Sequence, residues 1–242
     1  MTEAEWLACA NLKPLLAFLG SSASQRKLRL FACACCRRHW HWVEGTPAAK
    51  AIEVAEAYAD GRATDKRLTA ARKRADAEAG RTYAEFRRTQ GVAPYIAHMH
   101  ASACAVAASM RPPDHSPTNF ATSAATFSAQ TYAHEMTGVA DTTGGDWGTH
   151  WETDTALNAG VLREIVGNPF RPVAFNAVWR TSDVALLASG IYSSRAFENM
   201  PILADALQDA GCDRDELLNH LRDAHAAHVR GCWALDLVLG KD

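Results

Sequence analysis

Apolar and polar positions along this chain follow the 3.6-residue period of amphipathic helices, and no run shows the strict alternation of a half-buried strand. Thr2 and Glu5 form a capping box ahead of Trp6 and Leu7. Pro14 opens a second short helix and Gly20 closes it. Ser22 or Ser24 caps a long helix from Gln25 to about Val43. Its middle, Leu28 to Cys36, is apolar except for Arg29, which predicts burial on most sides. Pro47 opens the next helix and Asp60-Gly61 stops it. Thr64 caps a charged helix running to about Arg88, and Pro94 opens a small-residue helix through Met110.

The second half continues in the same way. A helix is expected from about Ala121 to Met136, then a loop over 141–148, where paired glycines sit among Thr and Asp. A helix from about Thr153 to Val166 ends at Gly167-Asn168-Pro169. Residues 170–179 are the best place for an extended piece. Thr181 caps a helix with Val184, Leu187, Ala188 and Ile191 on one face. Asn199 caps the next, which Gly211 terminates. Asp213 and Glu216 form another capping box before Leu217, Leu218 and Leu221, and the last helix runs from about His228 to Leu239. The expectation is a mainly α protein, an irregular multi-helix bundle with minor or no β structure. It reads as a single α-helical domain over 1–242, with N-terminal helices 1–61, a variable central stretch 62–160 and a C-terminal helical region 161–242.

Composition is consistent with a globular chain: 242 residues, 48% hydrophobic and 21% charged. No run of 18 or more apolar residues predicts a membrane span, and the N-terminus lacks the basic and apolar regions of a signal peptide. Seven cysteines, three of them crowded at 33, 35 and 36, do not look like a disulfide framework. A cytoplasmic, reduced protein is the simpler reading. The net charge of −2 hides an asymmetry: residues 1–111 carry 17 Lys+Arg against 10 Asp+Glu, and residues 112–242 carry 8 against 17. The two halves could attract one another or serve different partners.

Candidate chemistry is concentrated at the C-terminus. Cys212, His220, His228 and Cys232 supply two sulfurs and two imidazoles, a set that suits tetrahedral zinc. On the expected last helix His228 and Cys232 stand at i, i+4 and share a face. The competing reading has both cysteines as small buried hydrophobes at a helix contact. Asp236, between Leu235 and Leu237, must be paired if it is buried, with Arg171 and Arg230 as candidate partners. Cys33, Cys35, Cys36, His39 and His41 form a second cluster, read as small-residue packing, although Arg37 and Arg38 could activate a thiol there. His98, His100 and Cys104 hold one further i, i+4 pair without an evident third ligand. His134-Glu135 lacks the second histidine of a zinc-protease motif. Asp146, His150, Glu152 and Asp154 are polar enough for a cation but lack calcium-loop spacing. Nine Lys/Arg between 62 and 88 form a basic stretch that could lie on phosphates.

Two stretches carry a resemblance: 1–7 with Arg26-Lys27-Leu28-Arg29-Leu30-Phe31-Ala32-Cys33-Ala34-Cys35-Cys36-Arg37-Arg38, and the C-terminal series 167–172, 200–207, 210–212 and 228–236. On these the chain resembles a family of helical proteins abundant in planctomycete-type bacteria. The resemblance implies a helical fold and transfers no catalytic residue.

No Walker loop, nucleophile elbow or dinucleotide fingerprint is present. With the charge asymmetry, that favours a non-enzymatic protein-interaction or regulatory module whose partner is another protein. A zinc-binding protein or metalloenzyme built on Cys212, His220, His228 and Cys232, with Arg230 and Asp236 as further candidates, is one alternative. Nucleic-acid binding through 62–88 is the other, and no membrane partner is expected.

Overall fold

The computed structural model describes residues 1–20, 22–88, 93–110, 117–137 and 145–241, with the side chains of Phe86, 93–100, Pro117 and Gly145 left outside the description. Among the described residues there are thirteen α-helices, two 3-10 turns and no strand. The fold is mainly α, as the apolar periodicity requires. The chain forms two compact units, Met1–Gly160 and Val161–Asp242.

The first unit begins with α1 (Glu3–Ala8) and α2 (Leu12–Leu19). Thr2 and Glu5 form the reciprocal capping box, and Asn11 rather than a proline opens α2. Next come α3 (Gln25–Arg37), α4 (Trp40–Val43), α5 (Pro47–Ala59), α6 (Asp65–Arg88), α7 (Ala93–Ala108) and α8 (Pro117–Thr137). Ser24 caps α3, but that helix ends at Arg37 and the chain resumes as the single turn α4, so the expected helix to Val43 is two elements. The last helix of this unit, α9 (Gly145–Val166), begins eight residues before Thr153 and continues into the second unit. Positions 145–148, expected as loop, are therefore helical; 141–144 lie outside the described residues.

α3 packs on α5, α7 and α8. Leu28, Leu30, Phe31, Ala32, Cys33 and Cys35 are buried with it. Arg29, in the middle of this apolar run, is 2% exposed. Its Nη1 donates to the Ala108 carbonyl at 2.8 Å, one of the carbonyls that the end of α7 leaves without an intrahelical partner. Its guanidinium lies over the rings of Tyr58 and Phe120, at 5.1 and 4.7 Å from their centroids. Arg37 makes a two-point fork to the buried Glu56, both contacts at 3.0 Å.

Cys36 is joined to Cys104 by a disulfide that ties α3 to α7. This corrects the expectation that all seven cysteines are thiols. The two residues stand 68 positions apart, so only helix packing, and no local spacing, brings them to a Cα separation of 5.7 Å.

The second unit holds the end of α9, a 3-10 turn at Ala177–Trp179, α10 (Ser182–Ser194), a second 3-10 turn at Phe197–Asn199, α11 (Met200–Asp209), α12 (Asp215–Arg222) and α13 (Trp233–Leu239). Thr181 caps α10, and Gly211 takes a left-handed φ of 87° after α11. Asn199 and the start of α12 lack side-chain cap bonds, so neither that cap nor the expected Asp213–Glu216 box forms. The helices enclose one core around Leu203, Leu207, Leu217, Leu221, Leu235 and Val238. The extended piece expected over 170–179 is irregular chain ending in the first 3-10 turn. The last helix starts at Trp233, five residues after His228.

Candidate metal centre

Four polar side chains of the second unit converge. Glu164 lies in the last turn of α9, just before Gly167 ends the helix in a left-handed conformation at φ 79°. His220 comes from the last turn of α12. His228 lies in the segment between α12 and α13, and Cys232 is the N-cap residue of α13. Trp233 braces the site: its ring centroid is 4.9 Å from that of His220, and its root packs on Gly167, where an added Cβ would meet Trp233 Cγ at 3.1 Å.

The distances are those of ligands around a common point. His220 Nε2 lies 3.3 Å from Cys232 Sγ and 3.4 Å from Glu164 Oε2. His228 Nδ1 lies 2.9 Å from Glu164 Oε1 and 4.0 Å from Cys232 Sγ. All four ligand atoms fall within 4.8 Å of one another. A zinc tetrahedron with ordinary bond lengths has edges of about 3.3–3.6 Å.

The environment is largely shielded from water. The side chains of Glu164, His220 and His228 are 9%, 19% and 6% exposed, and Cys232 is fully buried. Burial by itself would push the Glu164 carboxyl up, but hydrogen bonds with His220 and His228 outweigh it and hold the group at about 2. Burial, reinforced by the Glu164 charge, pushes the Cys232 thiol well above its ordinary value. A divalent cation would reverse that preference, since it binds the thiolate and displaces the proton. His228 Nε2, the nitrogen turned away from the cluster, is buried without a protein partner.

This geometry does not suit nucleophilic catalysis. A Cys–His–carboxylate relay uses opposite nitrogens of the imidazole, one for the thiol and one for the acid. Here the same His220 Nε2 faces both Cys232 and Glu164, and the same His228 Nδ1 does so as well. The thiol has no access to solvent and is not activated.

Three of the four residues singled out from the sequence therefore meet. Cys212 does not: it is 5% exposed and packs in the hydrophobic core of the unit, the alternative reading weighed for it. Glu164 takes the fourth place and was missed. It is 64 residues from His228, and a lone glutamate in an amphipathic helix carries no sequence signal. His228 and Cys232 do approach each other, but through the turn around Gly231, at φ 93°, and not along a helix. Arg230 lies over the Tyr192 ring at 4.4 Å and stands outside the cluster. Asp236 is 1% exposed in α13, also outside the cluster, and is not without a partner. Arg171 is exposed in the chain after α9.

The other candidates resolve differently. In the α3–α4 cluster, Cys36 is in the disulfide, Cys35 is buried with its thiol pushed far up by burial, and Cys33 Sγ faces the Ile52 carbonyl at 3.9 Å. His41 pairs with Glu135 at 2.9 Å. His39 Nε2 lies 3.0 Å from Ser128 Oγ, which donates to Asp154 Oδ2 at 3.0 Å; Asn158 Nδ2 donates to the same oxygen at 2.7 Å. Arg38 Nη1 reaches Asp154 Oδ1 at 2.7 Å and Asn158 Oδ1 at 2.9 Å. This network contains Ser, His and Asp, but the serine stands in the middle and is fully buried, so it cannot act as a nucleophile. Burial pushes the Asp154 carboxyl up, against the pull of Arg38. Burial likewise depresses the His39 imidazole to about 3, so it is neutral at physiological pH.

Of the proposed cation loop, Asp146 and Glu152 are exposed on α9, His150 packs edge-on to Tyr132, and Asp154 belongs to the network above. The side chains of His98 and His100 lie outside the described residues, and Cys104 is in the disulfide.

Fold and site together define a helical protein whose second unit presents a candidate Cys/His/Glu metal centre. Compared with known proteins, the chain matches no family model, no curated protein and no solved structure.

Proposed function

We propose that the second unit is a zinc-binding module in which Glu164, His220, His228 and Cys232 hold one ion in a structural, non-catalytic role. The observation that supports it is the convergence of the four ligand atoms within 4.8 Å of one another, from three separate chain segments. Nitrogen, sulfur and carboxylate oxygen are the ligands zinc takes, and four protein ligands complete a tetrahedral shell. A catalytic zinc keeps one position open for water, and here the protein supplies all four. The ion clamps the segment between α12 and α13 to the end of α9, so metal binding and folding of that segment are one equilibrium. In this reading the protein is an interaction or regulatory module stabilised by metal, not an enzyme.

The test is elemental analysis of protein purified without chelators, paired with cobalt substitution. One zinc per chain, and a visible spectrum of tetrahedral cobalt with a thiolate charge-transfer band, are expected. Cys232→Ser should remove the charge-transfer band, and His228→Ala should lower the metal content. Wild-type protein without stoichiometric metal, or a cobalt spectrum unchanged in Cys232→Ser, rejects the reading. Cys212→Ala should leave the spectrum as it is.

A further inference from the structure

The outward face of α6 carries a regular cationic pattern that the metal reading does not use. Helical positions seven apart share a face and lie about 10.5 Å apart along the axis. Lys66-Arg67, Lys73-Arg74, Arg81 and Arg88 recur at that interval along the 24-residue helix, and all are exposed. Between them, at the same interval, stand exposed Ala70, Ala77 and Ala84. The opposite face, with Leu68, Ala71, Ala75 and Thr82, is buried. Arg81 and Arg88 are paired with Glu78 and Glu85 one turn earlier. The side chains of Lys66, Arg67, Lys73 and Arg74 have no ion pair or hydrogen bond among the described residues.

We infer that this face of α6 binds the phosphate backbone of double-stranded nucleic acid, without reading its sequence. A protein partner would need an apolar anchor at the centre of its footprint, and this face offers cations, the two glutamates paired with Arg81 and Arg88, and alanine methyls. A single strand would need aromatic platforms for its bases. The exposed Tyr83 shares its register with Thr69 and Asp76 and so lies off the cationic face. What the face does present is a row of cations from Lys66 to Arg88, about 33 Å long, whose unpaired members Lys66, Arg67, Lys73 and Arg74 gather in its first ~12 Å. The alanines between the cations let the helix approach a phosphate ridge closely. The matching ligand is a rigid polyanion with regularly spaced charge, and a duplex carries one phosphate charge per about 1.7 Å of axis.

The test is fluorescence anisotropy with a labelled duplex of about 20 base pairs, at several salt concentrations. Four phosphates neutralised by Lys66, Arg67, Lys73 and Arg74 give a log–log salt slope near −4, so affinity should fall about 10²-fold between 50 and 200 mM salt. Reversing the four charges to Glu should abolish binding at the lower salt. Lys66→Gln with Lys73→Gln, a milder change that leaves the buried face intact, should weaken binding and reduce the slope by about 2. Lys50→Glu on α5 should change little. Absence of binding at 50 mM salt, or binding unaffected by the double Gln variant, overturns the inference. So does equal competition by a polyglutamate peptide at matched charge, which assigns the face to an acidic protein. None of these readouts depends on the metal ligands, so failure here leaves the metal reading standing.

Discussion

Acidification should destabilise the first unit at pH values where ordinary carboxylates are still ionised, and His39 is the reason. In the unfolded chain its imidazole gains a proton near pH 6.5; in the folded protein burial, then the adjacent charges of Arg38 and His41, hold it to about 3. A base with a depressed folded-state pKa contributes stability that is complete above the unfolded value and is lost as pH falls through the folded value. The window therefore runs from about pH 6.5 down to about pH 3. Each pH unit inside it costs about 1.4 kcal/mol, so the loss is about 2 kcal/mol at pH 5 and about 4 kcal/mol at pH 3. Asp154 works in the opposite sense. Its folded-state pKa is raised, so its protonation on acidification favours the folded state and offsets part of the later loss. The assay is urea unfolding at pH 7, 6 and 5, beside an NMR titration of the histidine ring protons. His39→Gln keeps a hydrogen-bonding group opposite Ser128 but cannot titrate, so its stability should be nearly flat over the same range even if lower at pH 7. A His39 titration midpoint above about 5.5, or a wild-type pH slope retained in His39→Gln, would falsify this account.

Other outcomes follow from single contacts. Gly167→Ala should cost about 2 kcal/mol, the sum of a left-handed φ for a residue with a Cβ and the contact with Trp233, whereas Gly160→Ala, which meets nothing within 4 Å inside α9, should gain up to about 1 kcal/mol; unfolding of both variants checks the pair. Arg29→Met should lose about 2 kcal/mol by leaving the Ala108 carbonyl without its charged donor, and Arg29→Lys should not restore it, because the planar guanidinium also covers Tyr58 and Phe120; equal stability of wild type and the Met variant would contradict this. Thiol counting on unfolded, unreduced protein should find five free cysteines, and seven after reduction; seven at the outset would remove the Cys36–Cys104 bond. Zinc at a hundred times its dissociation constant should raise the stability of the second unit by about 3 kcal/mol, and Glu164→Gln should reduce that gain, as measured by thermal unfolding with and without the ion.

The sequence by itself determined the helices. Thr2 with Glu5, Ser24, Pro47, Thr181 and Gly211 act within one or two turns of chain, where the backbone donors and acceptors they satisfy are neighbours in sequence, and each does what its chemistry predicts. Where a local signal was absent the boundaries slipped. Gly145 and Gly148 lie inside α9, since packing can outweigh the modest helical cost of glycine. The start of the last helix slipped for a related reason: Gly231 takes a left-handed turn that leaves Cys232 as the cap. The candidate metal cluster was legible in three of its four residues. His220, His228 and Cys232 are close enough in the chain for residue type to draw attention to them, but nothing local distinguishes Cys232, which joins the cluster, from Cys212, which packs in the core. Glu164, the Cys36–Cys104 bond and the Arg38–Asp154 pair belong wholly to tertiary structure. Each joins residues from chain segments far apart in sequence, and their meeting depends on how the helices that carry or flank them pack, which is set by the summed burial of many side chains and encoded at no single position.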